Sequence, residues 1–163
     1  LHVRERHWSE LVSHMSGSIE RAAFMLARAQ GDSLTVFELR CLTDAQVDSS
    51  ARHLLLPDRT RAEMIAWAWR SRAALIECHS HPLGDPAAFS LTDLAGLADW
   101  VPHARWRLQG APYLALVHAP RSFDALTWTQ SANALAPLEH VQLDSRRLTP
   151  TGLTFRHLCE HAT

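Results

Sequence analysis

The chain has no lysine at all. Every one of its sixteen basic residues is arginine, and isoleucine (three), asparagine (one) and tyrosine (one) are scarce as well. A protein that handles lysine-linked modifiers would gain from this, because it could not be modified itself. All four missing or rare residues, however, are encoded by AT-rich codons, so a GC-rich bacterial genome explains the whole pattern. Cysteine is limited to Cys41, Cys78 and Cys159, odd in number, widely spaced and without a C-x-x-C pair. That excludes a disulfide framework and a four-thiolate zinc site, and it reads as reduced intracellular thiols. No excess of either charge is present: sixteen Arg against seventeen Asp and Glu leave a formal −1. Electrostatics therefore offers no case for a nucleic-acid partner. Nor does any apolar run approach the length of a membrane span or a signal-peptide core, which predicts a soluble, cytoplasmic protein.

What is present suits one globular domain over residues 1–163, since 47% hydrophobic residues supply a core and the length leaves no room for a second full domain. Trp8, Leu11, Val12 and Met15 recur at helical spacing and predict an amphipathic helix over 3–15, ended by Gly17. The runs at 22–27 and 34–42 predict a hairpin turning through Gln-Gly-Asp. Thr60 and Glu63 have the spacing of a capping box opening a helix, and 74–81 has the character of a strand. Ser90 opens a further helix over about 91–100, and two late strands lie at 112–119 and 123–129. The tail from about residue 134 carries no clear pattern. No repeat or linker interrupts the order, so the fold class is α/β or α+β, with a mixed central sheet flanked by helices.

The chemistry concentrates in IECHSHPLGDPAAFSLTDL, residues 76–94. Residues two apart on a strand share a face, so His79 and His81 can bind one ion. With eleven histidines in 163 residues such a pair arises by chance about 0.7 times, so the pair alone has little weight. The context adds to it. Pro82, Gly84 and Pro86 turn the chain directly after His81, and Asp93 sits in the first turn of the helix that Ser90 opens. Two imidazoles and a carboxylate leave a fourth position free, as a catalytic zinc requires. Glu77 shares the histidine face and is a candidate base, whereas Cys78 and Ser80 should face away.

This stretch resembles the H-x-H-P…S-x-x-D motif of the JAMM/MPN+ zinc metalloproteases, a family that includes deubiquitinases and bacterial enzymes acting on ubiquitin-like proteins. IERAAFML resembles the setting of that family's upstream glutamate, and the likeness covers roughly residues 1–130 in element order. Eleven residues separate His81 from Asp93, one more than is common in the family. The resemblance implies a cytidine-deaminase-like fold, Zn²⁺ on His79, His81 and Asp93, Glu20 as the base, and Ser90 as donor to the developing oxyanion. It also implies cleavage after the C-terminal Gly of a ubiquitin-like protein, as deconjugation or precursor processing. The partners would be the activating and conjugating enzymes of a bacterial pathway, antiviral defence among its settings. A hydrolase of small amides or of sulfur-carrier tails is the alternative. Trp67 and Trp69, about 200° apart on one helix, cannot share a buried stripe, so one could be exposed as a docking residue. His157 and His161 in HLCEH have i, i+4 spacing but no evident third ligand, and a frayed terminal helix is expected there.

Overall fold

A computed structural model describes residues 1–31, 33–129 and 135–161. The elements run α1 (Glu5–Met15), β1 (Ala22–Gln30), β2 (Ser33–Cys41), β3 (Asp48–Ser49), β4 (Leu54–Leu55), α2 (Asp58–Ser71), β5 (Ala74–Ser80), α3 (Leu91–Arg107), β6 (Tyr113–His118), β7 (Phe123–Trp128), β8 (Leu135–Pro137), β9 (Val141–Gln142), β10 (Arg147–Leu148) and α4 (Leu153–Glu160). Six strands form one sheet in the order β2-β1-β5-β6-β7-β8. β5 and β6 are parallel and every other pair is antiparallel, so the sheet is mixed.

Alternation along the strands feeds two cores. Phe24, Leu26, Leu75, Tyr113, Ala115 and Val117 point to the face covered by α2 and α3. Ala23, Met25, Ile76, Cys78, Leu114 and Leu116 point to the other, where α1 lays down Trp8, Leu11 and Met15. A sheet apolar on both faces must be covered on both, and the result is a three-layer α/β domain. No described helix is long and apolar enough to cross a membrane.

The expected hairpin is present as β1–β2, although Asp32 of its turn lies outside the described residues. Two expectations fail in instructive ways. α2 starts two residues before Thr60, after Pro57, and no capping box forms. Thr60 instead donates its hydroxyl to the Gln46 carbonyl at 2.8 Å, and Glu63 accepts from Arg59 at 2.9 Å. α3 does not stop near residue 100 but runs through Pro102 to Arg107. Pro102 removes one helical hydrogen bond, yet Val101, Ala104 and Leu108 continue the buried stripe and offset that loss. The C-terminal helix, α4, is fastened at its start. The wholly buried Asp124 carboxylate accepts from Gly152 N, Thr154 N and the Thr154 hydroxyl at 3.0, 2.9 and 2.7 Å, anchoring the start of α4.

Candidate metal centre

β5 and the residue just past its end place the first two candidate ligands. His79 is its penultimate residue, on the face shared with Leu75 and Glu77, and His81 follows its end with its N–H held by the His118 carbonyl at 2.8 Å. Ser80, between them, points away and is not idle. Its hydroxyl accepts from Arg21 N at 2.9 Å, and its own N–H donates to the Arg21 carbonyl at 3.0 Å, which fixes the segment carrying Glu20.

The loop from Pro82 to Phe89 then returns the chain to the histidines. Asp85 holds its shape by accepting from Arg121 and from the Ser122 hydroxyl, both at 2.7 Å, and these bonds keep its carboxyl below the usual range. Ser122 accepts in turn from Ala87 N at 2.8 Å. Ser90 caps α3 in a reciprocal capping box: its hydroxyl accepts from Asp93 N at 3.1 Å, and Asp93 Oδ2 accepts from Ser90 N at 2.7 Å. The box points the Asp93 carboxylate back at β5.

The three side chains meet. His79 Nε2 and His81 Nε2 are 3.2 Å apart, and Asp93 Oδ2 lies 3.6 Å from the first and 3.2 Å from the second. Tetrahedral ligands at about 2.0–2.1 Å from zinc stand about 3.3 Å from one another, so this triangle has the edge length a tetrahedral ion requires. Among the described residues it is the one group of three His, Cys, Asp or Glu placed to hold an ion. Burial raises the Asp93 carboxyl, but hydrogen bonds from His79 and His81 outweigh it and hold the group far below its usual range. For His81, burial lowers the pKa and is overcome by the Asp93 hydrogen bond and charge, with a net rise.

Glu20 is buried beside this cluster, and its N–H donates to the Ser50 carbonyl at 2.7 Å. Burial raises its carboxyl, an effect that His81 and His79 partly offset. A carboxyl with a raised pKa exchanges protons more readily near neutrality than an ordinary one. Glu77 lines the same cleft, but the Tyr113 hydroxyl donates to its Oε2, and the Trp100 indole donates to the Tyr113 oxygen at 2.8 Å. Cys78 faces the opposite core, as alternation predicts.

The tryptophan pair does divide, with Trp69 half exposed. Trp67 is buried beneath the Arg40 guanidinium, which stands 4.0 Å from its ring centroid, so Trp67 presents no docking surface. His157 and His161 are exposed on and just beyond α4 and join no metal-binding group among the described residues.

Sequence reasoning missed that Ala51 to Leu56, Arg61 and Trp100 line the cleft, and missed the contact of Phe89 with His79. The Phe89 ring packs edge-on against His79, 5.6 Å between centroids, while its N–H donates to Thr154 Oγ1 at 2.9 Å. No local pattern announces these contacts, since each joins distant segments. The cleft holds about 590 Å³, within the ordinary range of ligand sites. No protein-family model matches the chain, and none of the characterised proteins compared with it matches.

Proposed function

We propose that the chain is a zinc-dependent peptidase or isopeptidase of the JAMM/MPN+ type, cutting after the C-terminal Gly of a ubiquitin-like protein. The observation that carries this reading is the triangle of His79, His81 and Asp93 at tetrahedral edge lengths with buried Glu20 beside it in one cleft. The mixed sheet covered on both faces agrees with the MPN domain and its cytidine-deaminase-like class, and that finer assignment belongs to the same proposal.

Zinc held by these ligands supplies Lewis acidity and lowers the pKa of water to about 7. The chain supplies the rest. Glu20 takes the proton of the attacking water and returns it to the departing amine, a task suited to its raised pKa. Ser90, at the mouth of the cleft, donates its hydroxyl to the carbonyl oxygen as charge develops there. A cleft open at the end of a strand admits an extended tail more readily than a folded surface, and glycine before the scissile bond lets the backbone approach where a side chain would collide. On this reading the partners are a ubiquitin-like protein and the enzymes that activate and conjugate it.

The test is metal content followed by turnover. The purified protein should hold about one zinc per chain, lost in His79→Ala and Asp93→Ala and kept in His157→Ala, because three protein ligands are the minimum for such a site. A cognate ubiquitin-like protein fused through its terminal Gly should be cut directly after that Gly. Zinc that survives His79→Ala, or no cleavage by the zinc-loaded protein of Gly-ended fusions encoded beside its gene, defeats the proposal.

A further inference from the structure

Glu77 and Arg61 line one cleft with opposite charges, yet they form no ion pair with each other. Glu77 is held from behind, since Trp100 and Tyr113 donate in series toward its Oε2, while its other oxygen makes no hydrogen bond among the described residues. Arg61 is the fourth residue of α2, in its first turn, and its guanidinium lies over the Trp100 ring, 4.9 Å from the centroid. Among the described residues its buried Nε has no hydrogen-bond partner and its guanidinium forms no ion pair. One aromatic ring thus steadies both groups, stacking on the cation and feeding the relay to the carboxylate. A fixed donor and a fixed acceptor that ignore each other are available to a third group.

Charge restricts what that group can be. A simple anion drawn to Arg61 meets Glu77 and Glu20 in the same cleft, and a simple cation drawn to Glu77 meets Arg61. A neutral group that accepts and donates satisfies both, and a peptide main chain is such a group. Spacing agrees. Glu77 precedes His79 by two residues on β5, roughly 6.7 Å along the strand, which is also the reach of two residues of an extended peptide. We infer that Arg61 and Glu77 clamp the substrate's main chain about two residues from the scissile bond, Arg61 donating to a carbonyl and Glu77 accepting an N–H. The inference rests on the peptidase reading and adds to it the substrate class: an extended peptide with a free backbone rather than a compact amide.

Equilibrium binding tests the clamp without turnover. The probe is acetyl-Ala-Leu-Ala-Gly-Gly-amide, titrated by calorimetry into the whole protein kept free of metal by a chelator. Wild type should bind it, and Arg61→Gln and Glu77→Gln should each weaken binding about tenfold, the scale of a hydrogen bond to a charged group. The same peptide N-methylated in turn at each amide needs no variant to fold. Methylation at one position should weaken wild-type binding to a similar degree and cost Glu77→Gln almost nothing further, as a shared contact requires. Zinc content of both variants should equal that of wild type. No binding by wild type at millimolar peptide, unchanged binding in both variants, or fully additive losses would overturn the clamp. Peptide binding that follows this pattern, by a protein that carries no zinc when purified without chelator, would sink the peptidase reading and leave the clamp standing.

Discussion

Removing the Asp124 carboxylate should damage the candidate metal centre from a distance. Asp124 is fully buried, and three of its four hydrogen bonds cross to the C-terminal segment: Gly152 N at 3.0 Å, Thr154 N at 2.9 Å and Thr154 Oγ1 at 2.7 Å. Hydrogen bonds to a charged group contribute about 1.5–3 kcal/mol each, so three in sum would approach about 4.5–9 kcal/mol. That total is not reached, because the unpaired donors can escape to water by releasing α4, whose eight residues include one buried residue, Thr154. The cost of release sets the ceiling, and Asp124→Ala should destabilise by about 3–4 kcal/mol. Asp124→Asn keeps one acceptor oxygen and should lose about half of that. The functional consequence travels through Thr154, whose hydroxyl also accepts from Phe89 N at 2.9 Å, and through the Phe89 ring packed on His79. Zinc affinity should fall about tenfold although no ligand is touched, the scale seen when outer-shell support is lost. Urea unfolding and competition with a chelating dye measure the two effects. A loss of stability below about 1 kcal/mol would show that Asp124 does not fasten α4. A large loss of stability with unchanged zinc affinity would break the link from Thr154 to His79.

Glu20→Gln should keep its zinc and its fold but lose at least about a hundredfold in turnover, while Glu77→Gln, tied to Tyr113, should keep most of its turnover on a minimal amide. The reverse ranking on that amide would make Glu77 the base. In metal-free protein the raised His81 favours folding fully below its ordinary value of about 6.5, and this contribution is lost as pH rises through the folded-state value. The depressed Asp93 contributes fully above about 3.9 and loses that contribution as pH falls through its folded-state value. The stability difference between wild type and His81→Ala, measured in chelator, should therefore shrink from pH 6 to pH 8, and a growing difference would contradict the ion pair. With zinc added the trend should invert, because zinc competes with the same proton. Ser90→Ala should cost about 1 kcal/mol of stability as a lost cap. It should also slow turnover about a hundredfold on the oxyanion reading, and Ser90→Gly, which keeps much of the cap's stability, should be equally slow.

The elements read best from the sequence are those whose information is local. The stripe of Trp8, Leu11 and Met15 needs only its own spacing to predict α1, and the alternation around Glu77, Cys78 and His79 predicts which side chains share a face. The clustering of His79, His81 and Asp93 was legible for the same reason, since these residues come from one strand, the loop after it and one helix start in unbroken order. Failures occur where a distant partner decides. Thr60 and Glu63 have a capping box's spacing, but the Gln46 carbonyl claims the threonine and Pro57 starts the helix earlier. Pro102 looks like a stop until Val101, Ala104 and Leu108 are seen packed into the core. Asp124 lies in a strand with no polar pattern around it, and thirty residues separate it from Thr154. The relay from Trp100 through Tyr113 to Glu77 joins α3, β6 and β5, so no window of sequence contains it.

The shared use of Asp93 lets one carboxylate belong both to the helix cap with Ser90 and to the candidate metal site with His79 and His81. Asp93 Oδ2 accepts from Ser90 N at 2.7 Å and from the Ser90 hydroxyl at 2.7 Å, while His81 Nε2 stands 3.2 Å away. One carboxylate oxygen has two lone pairs, so it cannot serve the backbone N–H, the hydroxyl and an ion together. The N–H is fixed by the start of the helix and cannot turn away. The hydroxyl can rotate, and it is the partner that yields when the oxygen turns to a cation. On the proposed reading, a Ser90 hydroxyl released in this way still lines the cleft that holds His79 and His81, and would donate there to a substrate oxygen. The cap thus orients the carboxylate in the metal-free chain, and the competition for one oxygen couples ligand binding at Asp93 to the availability of the hydroxyl beside it.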